Sequence, residues 1–204
     1  MRKLLLSLTL ALAFASSASA QLSIGLGYTG DNKTWSIIGE NVKTNFNEFY
    51  VGADYTVCHF GPIDFTPGLY LSFLGKTYKE PLFAGFSWVG KFSEININIP
   101  VNFSYGIDFS DSVRGFIYAG PTFLVGLSSQ FKSTGEKKSS NIYSKQYGYS
   151  RFNILLGGGI GVDFAEKLRV SVGYNAGVIN RDLNKTLNGK ITEGGFHAGI
   201  AYLF

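Results

Sequence analysis

The chain has 204 residues, room for one domain and tight for two. Its formal charge of +4 falls to +2 without Arg2 and Lys3, which gives no basis for nucleic-acid binding. Few residues are charged, whereas 26 Gly, 18 Phe and 12 Tyr favour strands with tight turns and close backbone approach.

Residues 1–20 read as a secretory signal peptide. Arg2 and Lys3 supply the positive start, Leu4 to Ala15 is an apolar run, and Ala18-Ser19-Ala20 is a small-x-small cleavage site. The run is too short to span a membrane as a helix, and cleavage predicts a mature domain of 21–204 beginning at Gln21. Beyond it, no apolar stretch reaches the ~18 residues of a spanning helix, so any membrane crossing must be by strands.

Period-two patterning predicts eight strands. In chain order they are Leu22–Thr29, Phe46–Val57, Ile63–Leu74, Glu94–Asp108, Val113–Ser128, Phe152–Phe164, Leu168–Gly177 and Gly194–Phe204. In the fourth, Ile95, Ile97, Ile99, Val101, Phe103, Tyr105 and Ile107 alternate with Glu94, Asn96, Asn98, Pro100, Asn102, Ser104 and Gly106. The connections alternate long (30–45, 75–93, 129–150, 180–193) and short (58–62, 109–112, 165–167). That rhythm is what an antiparallel up-and-down barrel with two unequal rims requires.

Orientation follows from the polar faces. Turned inward, they place Glu48, Asp54, Glu94, Arg114, Arg151, Asp163 and Arg169 in the lumen, four acids and three bases that can pair. The apolar faces then meet lipid, giving an all-β, eight-stranded transmembrane barrel; a soluble, lipocalin-like barrel would reverse the faces. Glu48, Glu94 and Arg151 are expected at the external rim. Asp54, Arg114, Asp163 and Arg169 are expected near the periplasmic rim, meeting at one level across the lumen. The lone Cys58 excludes an internal disulfide and reads as a buried or interface thiol.

At the C-terminus, His197-x-Gly199-x-x-Tyr202-x-Phe204 ends the last strand in aromatics and resembles the signal read by the outer-membrane assembly machinery. Further pieces run in order: Ile97-x-Ile99-Pro100-Val101, Tyr118-Ala119-Gly120-Pro121, Gly157-x-Gly159-x-Gly161-x-Asp163 and Val172-Gly173-Tyr174-Asn175-x-Gly177-Val178. Together they resemble the outer-membrane β-barrel domain family abundant in Bacteroidota, whose members are often labelled porin-family proteins. The resemblance is weakest over the first two strands. It implies a barrel in the cell outer membrane, no agreed activity, and no catalytic residues to carry over.

Other motifs are weighed against this frame. The Gly157–Gly161 cluster lies inside a strand with no following helix, so close packing explains it better than a phosphate loop. His59 is expected in a short turn and His197 near the external end of the last strand, too far apart to share a site. A Ser–His–acid lipid hydrolase on His197, oriented by Glu48 or Glu94, is conceivable, but no serine is pinned to it. No metal or other cofactor is expected. The third long connection carries Lys132, Lys137, Lys138 and Lys145 against Glu136, followed by Tyr143, Tyr147 and Tyr149. It is either a solvated loop or a contact for lipopolysaccharide phosphates or an anionic glycan. The leading expectation is a structural or loop-mediated binding barrel without turnover, and the alternative is a narrow passive channel. Interior filling separates them, because eight strands leave a lumen about as wide as the side chains that fill it.

Overall fold

The computed structural model describes residues 21–37, 40–81, 87–133, 139–144, 148–183 and 189–204. The signal-cleavage residues Ala18 and Ala20 lie outside them, while Gln21 opens the first strand. In chain order the strands are β1 (Gln21–Ile37), β2 (Glu40–Thr56), β3 (Cys58–Phe60), β4 (Ile63–Pro81), β5 (Ser87–Ser110), β6 (Val113–Ser133), β7 (Ser140–Asn141), β8 (Phe152–Phe164), β9 (Leu168–Gly177) and β10 (Lys190–Leu203). Eight long strands form the wall; β3 and β7 are short additions against β4 and β6. Every pairing is antiparallel. The ring closes because β1 pairs both β2 and β10, with Gly25 opposite Gly52 and Ala201, and β2 pairs β4, with Phe49 opposite Phe73. A closed sheet leaves no ladder group unpaired in lipid, which an open sheet would do.

Alternation sets the two faces. Phe49 (61% exposed), Ile160 (59%) and Phe196 (72%) point outward, as do Ile24, Leu26, Phe103, Ile107, Leu156, Val172 and Ile200. The side chains buried inside are chiefly polar, among them Lys33, Asp64, Ser72, Glu94, Asn96, Asn153, Asp163, Arg181 and Glu193. A soluble barrel would show the opposite distribution. Aromatic residues mark both edges of the outer band. Tyr28 and Phe49 pack edge to face at 5.3 Å, as do Tyr174 and Phe196 at 4.8 Å, on one edge; Tyr202 and Phe204 do so at 4.9 Å on the other. From Phe196 in β10 to Phe204, the residue that follows the strand, the chain matches the about 9–11 residues a tilted strand needs to cross hydrocarbon.

Two of the expected long connections are ladder. Segment 30–45 is mostly strand, with Gly30 opposite Asn47 and Ile37 opposite Glu40, and 75–93 runs on to Pro81 opposite Ser87. Beyond the lipid band neither face of a strand needs to be apolar, so these hairpins continue without the alternation that marks the wall. Above Asn47 the β2–β4 pairing stops and the two hairpins separate.

Glycine creates room inside. A Cβ on Gly161 would run into the Phe116 ring, and one on Gly27 into the ring of Tyr50, so inward aromatics lie flat on bare backbone. The Gly157–Gly161 cluster sits within β8, as a packing device requires. Opposite conditions hold at the β8–β9 turn, where Ala165 (φ 49°) and Glu166 (φ 55°) occupy the left-handed region without a glycine. Such residues carry roughly 1–2 kcal/mol of strain each. Glu166→Gly should therefore raise stability by about 1 kcal/mol, read as a higher urea midpoint for the protein refolded in detergent micelles.

Candidate functional site

The lumen is filled in three levels. Nearest the short turns, Arg169 on β9 forks onto Asp163 on β8, with Nε to Oδ1 at 2.7 Å and Nη2 to Oδ2 at 2.8 Å. The two residues are directly opposite in register, so the turn itself delivers the pair. The Arg169 guanidinium also lies 4.7 Å from the Phe116 ring centre. Arg114 Nη2 bonds Asp64 Oδ2 at 2.9 Å, with Asp108 3.7 Å from its Nε. Asp54 accepts a hydrogen bond from Tyr70. The expected charges at this end are thus present in the lumen, but Asp64, absent from that set, takes Arg114, and the four do not form one bridge.

The middle level is aromatic and amide. Tyr50 and Tyr70 meet edge to face at 5.5 Å, Tyr118 Oη lies 2.7 Å from His197 Nε2, and Asn98 Nδ2 donates to Ser72 Oγ at 2.9 Å. His197 stands mid-strand because β10 begins at Lys190, not near the strand's external end as expected. A cavity of about 180 Å³ runs past these groups from Asp54 and Arg169 toward Lys33 and Glu193.

The external level is a charged plug. Lys33 Nζ lies 2.7 Å from Glu94 Oε2 and 3.3 Å from Glu193 Oε2. Arg181 completes the square, with Nη2 3.0 Å from Glu94 Oε1 and Nη1 2.8 Å from Glu193 Oε2. Two cations and two carboxylates, each at most 7% exposed, therefore alternate around the lumen. β1, β5 and β10 supply three of them, and Arg181 comes from the connection after β9, folded back inside.

The third connection seals the plug. Tyr143 Oη donates to Glu94 at 2.8 Å, Lys33 donates to Tyr149 Oη at 2.9 Å, and the two rings stack at 5.6 Å. Arg181 lies 4.2 Å from the Tyr149 ring centre and donates to the Ser150 carbonyl. Asn153 Nδ2 donates to Glu193 Oε1 at 2.6 Å. Burial opposes the charge on Arg181, and the Glu193 and Glu94 carboxylates outweigh it, holding the guanidinium well above its usual range. Each of the four charges in this layer has at least two oppositely charged partners within 3.3 Å, which is what makes buried charge tolerable, while the buried Ser129 hydroxyl opposite Glu94 has no partner among the described residues.

Several expected residues are elsewhere. Arg151 is not in the lumen: it is exposed, stacks 4.6 Å from the Tyr143 ring centre and donates to the Gly126 and Leu127 carbonyls. It follows β6 and precedes β8, in a connection where strand parity has no meaning. Glu48 faces the lumen and bonds Ser72 rather than joining the plug. His197 and Gly199 face inward, with Gly199 against the Tyr50 hydroxyl, while Tyr202 and Phe204 face outward. The partner of His197 is Tyr118, not a serine, and Glu94 is held by Lys33 and Arg181. Lys132 is exposed on β6; Lys137, Lys138 and Lys145 lie outside the described residues. Cys58 and His59 belong to β3, and their side chains also lie outside them. Lys33, Arg181 and Glu193 were missed because they fall in segments read as loops. Thr29, Asp31 and Lys33 do continue the inward alternation of β1, and that polar rhythm was the available signal.

No curated protein sequence matches the chain. Solved structures similar to it in fold include Ail, the attachment invasion locus protein of Yersinia pestis, in complex with the heparin analogue sucrose octasulfate. It shares 15% identity over 91% of this chain and 99% of that one, with a TM-score of 0.48. Neisserial surface protein A matches at 14% identity over 90% and 96%, with a TM-score of 0.44. The outer membrane enzyme PagL matches at 14% over 89% and 97%, with a TM-score of 0.43. The family model described as outer membrane protein β-barrel domain matches residues 14–182. With the closed sheet and its lipid-facing exterior, that match places the chain in the outer membrane protein β-barrel domain family and in the cell outer membrane.

Proposed function

We propose that this protein is a closed outer-membrane barrel that acts through its membrane and external surfaces, without passing solutes and without turnover. The observation that carries the reading is the four-charge plug of Lys33, Glu94, Arg181 and Glu193 under the stacked Tyr143 and Tyr149. An eight-stranded lumen has little spare width, and here its external end is spanned by side chains bonded to one another. Opening it to ions would expose a network whose members satisfy each other.

Absence of turnover is supported by the engagement of the groups a lipid hydrolase would use. His197 is tied to Tyr118, Glu94 to the plug, and Glu48 to Ser72. A second reading, a narrow channel gated by the plug, draws on the 180 Å³ cavity beneath it. Planar-bilayer recording of the refolded mature protein separates the two. A closed barrel gives no steady single-channel current across the accessible voltage range. A sizeable, persistent conductance in the unmodified protein would replace the closed reading with the channel.

A further inference from the structure

Where the β2 and β4 hairpins part, the outer wall carries a groove lined by Asn47, Lys76, Lys91, Ser93, Gln130 and Lys132 among others. Lys91 on β5 and Lys132 on β6 are directly opposite in register, and both are exposed. Residues so placed have Cβ atoms about 4.5–5.5 Å apart, and like charges in that position destabilise a sheet unless something neutralises them. Among the described residues lining the groove there is no carboxylate, and Lys91 and Lys132 make no ion pair among them. Ser93 and Gln130, also opposite each other, add neutral hydrogen-bonding groups on the same face. Lys76 borders the groove with its ammonium 5.7 Å from the Phe46 ring centre.

Height on the barrel identifies what could lie there. On β5 the unbroken outward series of apolar residues from Ile107 ends at Ile95, which is opposite Phe73; Phe73 is opposite Phe49, and Phe49 opposite Tyr28. That row is the external edge of the apolar band. Lys91 lies four residues farther out, roughly 13 Å along a strand, at the depth of lipid headgroups beside the barrel.

We propose that this groove is a binding site for the phosphate groups of an anionic glycolipid of the outer leaflet, of the lipopolysaccharide class. Lys91 and Lys132 flank one phosphate as point charges, and Ser93 and Gln130 supply further hydrogen bonds. The site moves the anionic contact from the tip of the third connection to the wall beside it, with Lys132 common to both. It rests on placement in the outer membrane and not on closure of the lumen, so channel activity in bilayer recordings would leave it intact.

The test uses the full mature protein in phosphatidylcholine nanodiscs containing diphosphorylated lipid A or its dephosphorylated form. Lipid A retained on the protein is measured by mass spectrometry, alongside the thermal unfolding midpoint. The unmodified protein should retain the phosphorylated form and unfold at a higher temperature with it. K91Q/K132Q should weaken retention about thirtyfold, two surface lysines' worth of attraction, while still showing the heat-modifiable gel migration of a folded barrel. K167Q/K190Q, with the same change in charge at other exposed positions, should retain lipid as before. K91R/K132R should too, which keeps the test decisive if the glutamine variant fails to fold. Equal retention by K91Q/K132Q and the unmodified protein would overturn the site. So would equal retention of dephosphorylated lipid A, equally effective competition by inorganic phosphate, or loss of binding to a soluble sulfated glycan with lipid retention unchanged.

Discussion

Arg181→Ala should produce the largest change of any single substitution in the lumen. The side chain is 0% exposed and ties both carboxylates of the plug, at 3.0 Å and 2.8 Å, while also donating to Ser150. Without it, Glu94 and Glu193 share Lys33 alone, and one net negative charge is stranded in the barrel. Removing one partner of a buried ionic group costs about 3–5 kcal/mol unless water reaches the charge left behind. Two outcomes follow from the two ways of relieving it. Either the unfolding midpoint in denaturant drops by that amount, or water enters, stability is largely kept, and ion current appears across a planar bilayer. Arg181→Lys should recover only part of the effect, since one ammonium cannot fork between two carboxylates and reach the Ser150 carbonyl as well. A variant with unchanged stability and no current would show that the plug is not a coupled unit.

The sequence made the lipid-facing wall legible, and the reason is physical. Between Glu94 and Asp108 one face must be apolar for lipid and the other polar for the lumen, so chemistry alternates with the pleat. The same constraint located Asp163 and Arg169 on inward positions flanking a short turn, where register then pairs them. Above the membrane the constraint lapses. Lys33 has the inward parity of Thr29 and Asp31, yet its outward neighbours Asn32 and Thr34 are polar too, so no contrast marks the strand. Arg181 was beyond any parity argument, because it reaches the lumen by the folding-back of a connection, and only tertiary packing places it. Arg151 failed for the converse reason: parity was applied to a residue that precedes β8 rather than belonging to it. The β6 irregularity opposite Ile95 and Asn96 adds a further limit. Such a bulge shifts the faces by one residue, so that Ser129 turns inward and Gln130 outward, a switch that patterning over Val113–Ser128 does not announce.

Val172→Arg should be the most damaging change on the outer face. Val172 is 48% exposed and central in the outward series of β9, with Leu168 and Val170 on one side and Tyr174 and Ala176 on the other. Its register neighbours are Ile160 on β8 and Ala198 on β10, also outward, so no polar group lies beside it to accept a cation. An arginine at the hydrocarbon midplane of a barrel costs about 2–4 kcal/mol, less where the side chain can reach an interface. Equilibrium refolding into phosphatidylcholine vesicles, followed by tryptophan fluorescence across a guanidinium series, measures that cost directly. The comparison that gives it meaning is Asn98→Ala on the inward face, which removes one hydrogen bond to Ser72 and should cost about 1 kcal/mol. Both substitutions lie within the membrane-crossing part of the wall, so depth does not separate them; the face does. In a soluble barrel an arginine on the outer face would be nearly harmless and the inward amide would matter more. A measured ranking with Asn98→Ala the costlier would therefore mean that the apolar surface of this barrel is not in contact with lipid.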